Sequence, residues 1–214
     1  MATYSNVSDL YSAVQAYMGR NETGIINKIP LWVSFAEDEL DRRLRHPAAI
    51  TTQEYTVSGK SSTIPAPESL LELKSITQLP SLQPLLRRSF ESLFQPPYPT
   101  QKGMATAFAS HGGEFILNEV MGEDTVFQVS YYASPLKLST NNPENLYLSA
   151  CGDFLLFTAL AHGFAYDTNA EESQYYKLMA EAVLSTLSEQ IQREDLAGST
   201  LVTFANSDYL ETYY

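Results

Sequence analysis

The chain has 214 residues, 44% of them hydrophobic, with 25 acidic against 13 basic residues and a formal charge of −12. That apolar content excludes a disordered polymer. The acidity excludes a phosphate-gripping footprint, which needs clustered Lys and Arg.

The opening residues lack the basic start and unbroken apolar run of a signal peptide, and no stretch is expected to span a membrane, which takes roughly eighteen apolar residues. A first helix is predicted from Asn6 to Met18, with Asn6 as cap, Asp9 in the first turn, and Leu10, Val14 and Tyr17 at helical spacing. Gly19 to Gly24 ends it. Pro30 opens a second helix running to Arg45, with Leu31, Phe35, Leu40 and Leu44 on or beside one face and Trp32 next to them. Its outer side carries Asp38 and Arg42, Glu39 and Arg43, Asp41 and Arg45, each acid one turn ahead of its base.

From Ala49 to Ser134, Thr, Val, Tyr and Phe become frequent and prolines punctuate. Strands are predicted over 52–57 and 62–64 around the turn Ser58-Gly59-Lys60, over 106–109 and 114–117 around His111-Gly112-Gly113, and over 125–132. A short helix is expected over 85–94, stopped by Pro96, Pro97 and Pro99. Helices then return. Asn142 and Pro143 read as cap and first-turn proline of an almost wholly apolar helix through Leu146, Ala150, Phe154, Phe157, Ala161 and Phe164. Cys151, the single cysteine, lies within it and reads as a small buried hydrophobe, folded in a reducing cytoplasm without an intramolecular disulfide. Thr168 or Asn169 caps the next helix, whose stripe is Tyr176, Met179, Val183, Leu187 and Ile191.

The fold class is therefore α+β: a bundle of about four helices, from 1–48 and 136–195, with a β-rich module inserted at 49–135 and an extended tail at 196–214. The tail shows no helical repeat, yet carries Leu201, Phe204, Tyr209, Leu210, Tyr213 and Tyr214. Loose termini are poor in aromatics. This one reads as a segment that docks, whether on a neighbouring copy, on a partner protein or back on its own domain.

Chemistry-bearing motifs are absent from the sequence: it holds no HExxH, paired CxxC, P-loop, dinucleotide fingerprint or GxSxG. No catalytic residue, cofactor or metal is expected. His162 with Asp153 is the one pair on which a hydrolase reading rests, and nine residues along a helix separate them by roughly 13.5 Å of rise.

Several stretches resemble the head-to-tail adaptors of tailed bacteriophages, of the kind found in podophages with elongated heads. They are TYSNVSDLYSAVQAYMGR, IPLWVSFAEDELDRRLR, STIPAPESLLELKSI, FQVSYYASPLKLS and NPENLYLSACGDFLLFTALAHGFAYD. The resemblance covers Tyr4 to about Ile191, with Ile64-Pro65 standing where the family has Leu-Pro. It implies a structural virion protein at the head–tail junction, assembled in the host cytoplasm as a ring, generally of twelve copies, beneath the portal. Such a ring continues the DNA channel, presents a platform for tail or neck proteins, and grips the portal with its C-terminal segment. A neck or stopper ring one layer lower, and a small phage-encoded hydrolase, are the alternatives. Repeated copies of an acidic chain would line a negative bore that DNA passes without specific binding. Glu37 and Glu189, read as carboxylates without a partner one helical turn on, are the candidates for its wall.

Overall fold

The computed structural model describes residues 4–93 and 104–198. Helix α1 (Val7–Met18) begins where the Asn6 side chain accepts the Asp9 N–H at 3.1 Å. It ends at Gly19, whose φ of 63° lies in the left-handed region that glycine enters without strain. A single turn, α2 (Thr23–Ile26), precedes α3 (Ile29–Arg43), which starts with Pro30 in its first turn. The buried face of α3 is Ile29, Trp32, Val33, Ala36 and Leu40. Leu31 and Phe35, expected to share the apolar face, are instead 46% and 40% exposed.

Among the described residues eight strands follow: β1 (Ile50–Val57), β2 (Thr63–Pro65), β3 (Leu70–Gln78), β4 (Gln83–Pro84), β5 (Leu86–Arg87), β6 (Ala107–His111), β7 (Glu114–Leu117) and β8 (Thr125–Ala133). They form two four-stranded sheets, ordered β1-β8-β3-β4 and β2-β7-β6-β5. Val57, Ile76, Phe127 and Val129 from the first sheet share a core with Ile64, Phe108, Phe115 and Leu117 from the second. The Gly112-Gly113 turn behaves as the sequence predicts: both residues have positive φ, 61° and 82°, and join β6 to β7 as a hairpin.

Ser58-Gly59-Lys60 does not close a hairpin. Strand β1 pairs with β8 and β2 with β7, so this turn carries the chain from one sheet to the other. Gly59 donates its N–H to Asp124 Oδ1 at 3.0 Å, and Lys60 its own to the Met121 carbonyl at 2.7 Å. A Cβ on Gly59 would stand 3.2 Å from the Gly122 carbonyl oxygen, so a side chain would crowd the crossing. The helix expected over 85–94 is smaller than its pattern suggests. Leu86–Arg87 pairs in parallel with β6, and only Phe90–Leu93 (α4) is helical.

Helix α5 (Leu146–Tyr166) is the centre of the bundle, packed by α1, α3 and α6 (Ala170–Gly198). Its cap is Asn145, whose Oδ1 accepts the Leu148 N–H at 2.9 Å, and not Asn142. The Asn142 amide instead holds the carbonyls of Leu136 and Lys137 at 3.0 and 3.1 Å. By length and composition α5 could cross a membrane, against the sequence expectation, with a mean hydropathy of 1.3. Its apolar surface has a different use here, since Leu148, Phe154, Leu155, Ala159 and Leu160 are buried in one core with Val7, Leu10, Val14, Trp32 and Leu40.

Candidate functional site

Three features of the bundle stand out: a polar clamp where it meets the β module, and two clefts along α5.

The clamp is built on α3. The Asp41 carboxylate accepts hydrogen bonds from the Tyr147 hydroxyl at 2.7 Å, the Ser134 hydroxyl at 2.8 Å and the Lys137 ammonium at 3.0 Å. Lys137 also reaches Asp38 at 2.9 Å. Burial works against the lysine's charge, but the two carboxylates outweigh it and hold its pKa above the ordinary range. Burial also pushes the Tyr147 hydroxyl up, reinforced by its bond to Asp41.

One turn earlier, Glu37 accepts the Leu138 N–H at 3.0 Å and the Asn145 amide at 2.8 Å through a single oxygen. Its other oxygen has no hydrogen-bond partner among the described residues. Burial raises the pKa of this carboxyl, against the pull of Leu138, Asn145 and Lys137. Glu37 is 1% exposed, so it does not line a channel: the missing partner one turn on in sequence is replaced by backbone and amide donors distant in the chain.

These bonds fix the segment leaving β8 against α3 and the start of α5. Arg45 extends the junction, bonding Glu72 on β3 at 2.9 Å and the Asp41 carbonyl at 2.8 Å. Of the three ion pairs predicted along α3, only Glu39–Arg43 forms as a pair of side chains, at 2.8 Å. Arg42 donates to the Asp38 backbone carbonyl instead. Arg43 also makes two bonds to Glu181 on α6, at 2.7 and 2.6 Å.

The first cleft, about 310 Å³, lies between α5 and α6 where Cys151 has non-helical φ and ψ of −132° and 25°. Ala150, Cys151, Met179, Val183 and Leu187 give it apolar walls, and Asp153 stands among its lining. Beside it, α6 shows an uncharged stripe of Tyr175, Leu178, Met179, Ala182, Thr186 and Gln190. Tyr175 and Leu178 are 55% and 61% exposed. Sequence periodicity placed Met179 and Val183 in the core. The helix turns Ala180, Leu184 and Leu187 inward and packs Tyr176, Val183 and Ile191 against the same core, with Val183 also reaching the cleft, and leaves Met179 37% exposed there. The signal that was available is the uncharged i, i+3, i+4 series Tyr175, Leu178, Met179, Ala182, Thr186 and Gln190, from which Lys177, Glu181 and Glu189 are all absent.

Lys177 and Glu181 line the second cleft, with Glu39, Thr158 and His162. His162 meets the edge of Phe35 at 5.3 Å between ring centroids, and burial lowers its pKa. His162 and Asp153 thus line different clefts, and the structure does not bring them together. His111 stacks on Phe90 at 4.3 Å, and His46 accepts the Ala48 N–H at 3.1 Å, so both have structural contacts. Burial pushes the Cys151 thiol up to about 12.

Glu189 is exposed but has a partner, since Arg193 one turn on approaches it at 3.5 Å. The docking candidates Leu201, Phe204, Tyr209, Leu210, Tyr213 and Tyr214 lie outside the described residues.

A family model described as SU10 adaptor protein matches residues 5–203. No curated protein matches the chain. The match spans both the helices and the β module, and the chain belongs to the SU10 adaptor family, structural adaptor proteins of bacteriophage.

Proposed function

From that membership we propose that the chain is the head-to-tail adaptor of a tailed-phage virion, a ring of twelve copies beneath the portal. The family match from Ser5 to Thr203 is the observation that carries this reading. The ring continues the DNA channel and seats tail or neck proteins below. Residues 1–48 and 136–198 form its bundle part, since α6 runs three residues past the expected boundary at 195, with 49–135 the inserted module and 199–214 the docking tail. The clamp at Glu37, Asp41 and Lys137 supports such a role, because a ring subunit must hold its modules in one orientation for neighbours to repeat.

The net charge of −12 supports a bore that DNA passes without adhering, with screening over about 8–10 Å keeping the repulsion local. Glu189, exposed on α6, remains a candidate for its wall. The C-terminal residues Leu201, Phe204, Tyr209, Leu210, Tyr213 and Tyr214 are the portal-gripping arm, each aromatic contributing up to a few kcal/mol on burial, less the cost of ordering. Mixing purified chain with portal particles tests the proposal. Co-sedimentation and a ring below the portal in electron micrographs are expected. Deleting Leu201 to Tyr214 should abolish attachment while leaving helical circular dichroism nearly intact; failure of the full chain to assemble on portal would refute the role.

A further inference from the structure

We propose that the cleft between α5 and α6 is the seat of the chain's own C-terminal segment, residues 199–214, before it engages the portal. The inference rests on reading that segment as a docking arm. It explains where such an arm resides while the subunit is free.

The cleft has the chemistry for it. Its walls are Ala150, Cys151, Met179, Val183 and Leu187, and the adjoining stripe of Tyr175, Leu178 and Ala182 is uncharged. Asp153 is the one charged residue in the lining, so in a chain of net charge −12 this surface opposes an apolar, mildly acidic segment with a single carboxylate. The segment fits that description: Leu201, Val202, Phe204, Tyr209, Leu210, Tyr213 and Tyr214 accompany only Asp208 and Glu211 as charges. A volume of 310 Å³ is at the small end of binding pockets and admits side chains rather than a folded element.

Geometry selects the occupant. The described part of helix α6 runs to Gly198, and the cleft residues on it run from Gln190 back to Met179. At 1.5 Å per residue they lie roughly 12–28 Å from that end. The residues after Gly198 span up to roughly 50 Å when extended, so Phe204 and Leu210 both reach the cleft by doubling back. A tether this short holds its own tail at a millimolar effective concentration, far above that of a second copy in dilute solution. Portal binding must then displace the arm, and its apparent affinity falls by the fraction of chains whose arm is seated.

The test uses the full chain with one thiol introduced in the cleft and one in the arm, Thr186→Cys with Ser207→Cys. Glu54→Cys with Ser207→Cys, on the exposed edge of the β module, is the control. Native Cys151, which lines the cleft, is replaced by alanine in every chain so that it captures neither introduced thiol. Under mild oxidation in dilute solution, electrophoresis and mass spectrometry should show an intramolecular disulfide forming at least tenfold faster in the cleft pair than in the control. Adding Phe204→Ser, Tyr209→Ser and Leu210→Ser should slow it about tenfold. Oxidised chains should fail to attach to portal particles and recover on reduction. A cleft pair that closes no faster than the control, or only between two chains, overturns the inference. If the unoxidised chain still attaches through its tail in that case, the docking-arm reading survives; a tail-deleted chain that attaches normally removes that reading itself.

Discussion

Replacing Asp41 by alanine should loosen the joint between the bundle and the β module, and the loss can be worked from its three donors. Tyr147 is 2% exposed, and its hydroxyl would lose the acceptor at 2.7 Å. A buried donor left unpaired costs about 1–3 kcal/mol. Ser134 adds a smaller term, because its hydroxyl also has the Pro135 carbonyl at 3.4 Å. Lys137 keeps Asp38 at 2.9 Å and its side chain is 39% exposed, so solvent discounts that pair to about 0.5 kcal/mol.

The sum is roughly 2–4 kcal/mol, which for a chain of this length lowers Tm by about 5–12 °C. Asp41→Asn should cost about half as much, since one oxygen remains to accept from Tyr147. Differential scanning calorimetry on Asp41→Ala, Tyr147→Phe and the double variant would yield a coupling of about 1–2 kcal/mol. The Glu189–Arg193 pair, 62% and 80% exposed in its side chains, is the control, and Glu189→Ala should not move Tm measurably. Parental stability in Asp41→Ala, or additivity with Tyr147→Phe, would refute the clamp.

Glu37→Gln tests the buried carboxyl. Because burial raises its pKa in the folded state, folding takes up a proton between the unfolded value of about 4.3 and the higher folded one, so Glu37 weakens the fold as pH rises through that window. The Gln variant keeps an acceptor for Leu138 and Asn145, and denaturant titrations should show it gaining on the parent from pH 4 to pH 7; a constant difference across that range would contradict the assignment. Gly163→Ala adds a Cβ at 2.7 Å from Met18 Sδ and 3.1 Å from Trp32, and should cost about 1–3 kcal/mol by overpacking where α5 meets α1 and α3. Unchanged stability would mean that Met18 swings clear and that Trp32 gives way with it.

The long helices were legible because their signals are local. Asn6 caps α1 and Asn169 caps α6 as their spacing to the first turn indicates. The hairpin at Gly112-Gly113 was legible for the same reason, two consecutive positive φ values at a glycine pair. Strand β3 was missed because register shifts at Leu70/Glu72 and Leu73/Ser75 break the period-two alternation by which a strand is recognised. The strands on either side of Ser58-Gly59-Lys60 were legible, but their partners were not, for a related reason. Turn chemistry reports that the chain reverses but not which strand it then meets, and here β8 and β7 outcompete the sequence neighbours.

Charge was the least legible quantity, for a physical reason that bears on the candidate site. Four-residue spacing assigns Asp38, Asp41 and Glu37 by their own helix, whereas each takes partners from the segment between β8 and α5, roughly a hundred residues away. Lys137 is a short reach from both aspartates once Ser134 is tied to Asp41, so the tertiary pairs replace Asp38–Arg42 and Asp41–Arg45. Arg45, released from Asp41's carboxylate, is then free to hold Glu72 on the β module. The acidic run that reads as a solvated helix face is in this way partly consumed in fixing one module on the other. On α6, Tyr175 and Leu178 stay exposed on an uncharged side, where an apolar arm meets little opposition.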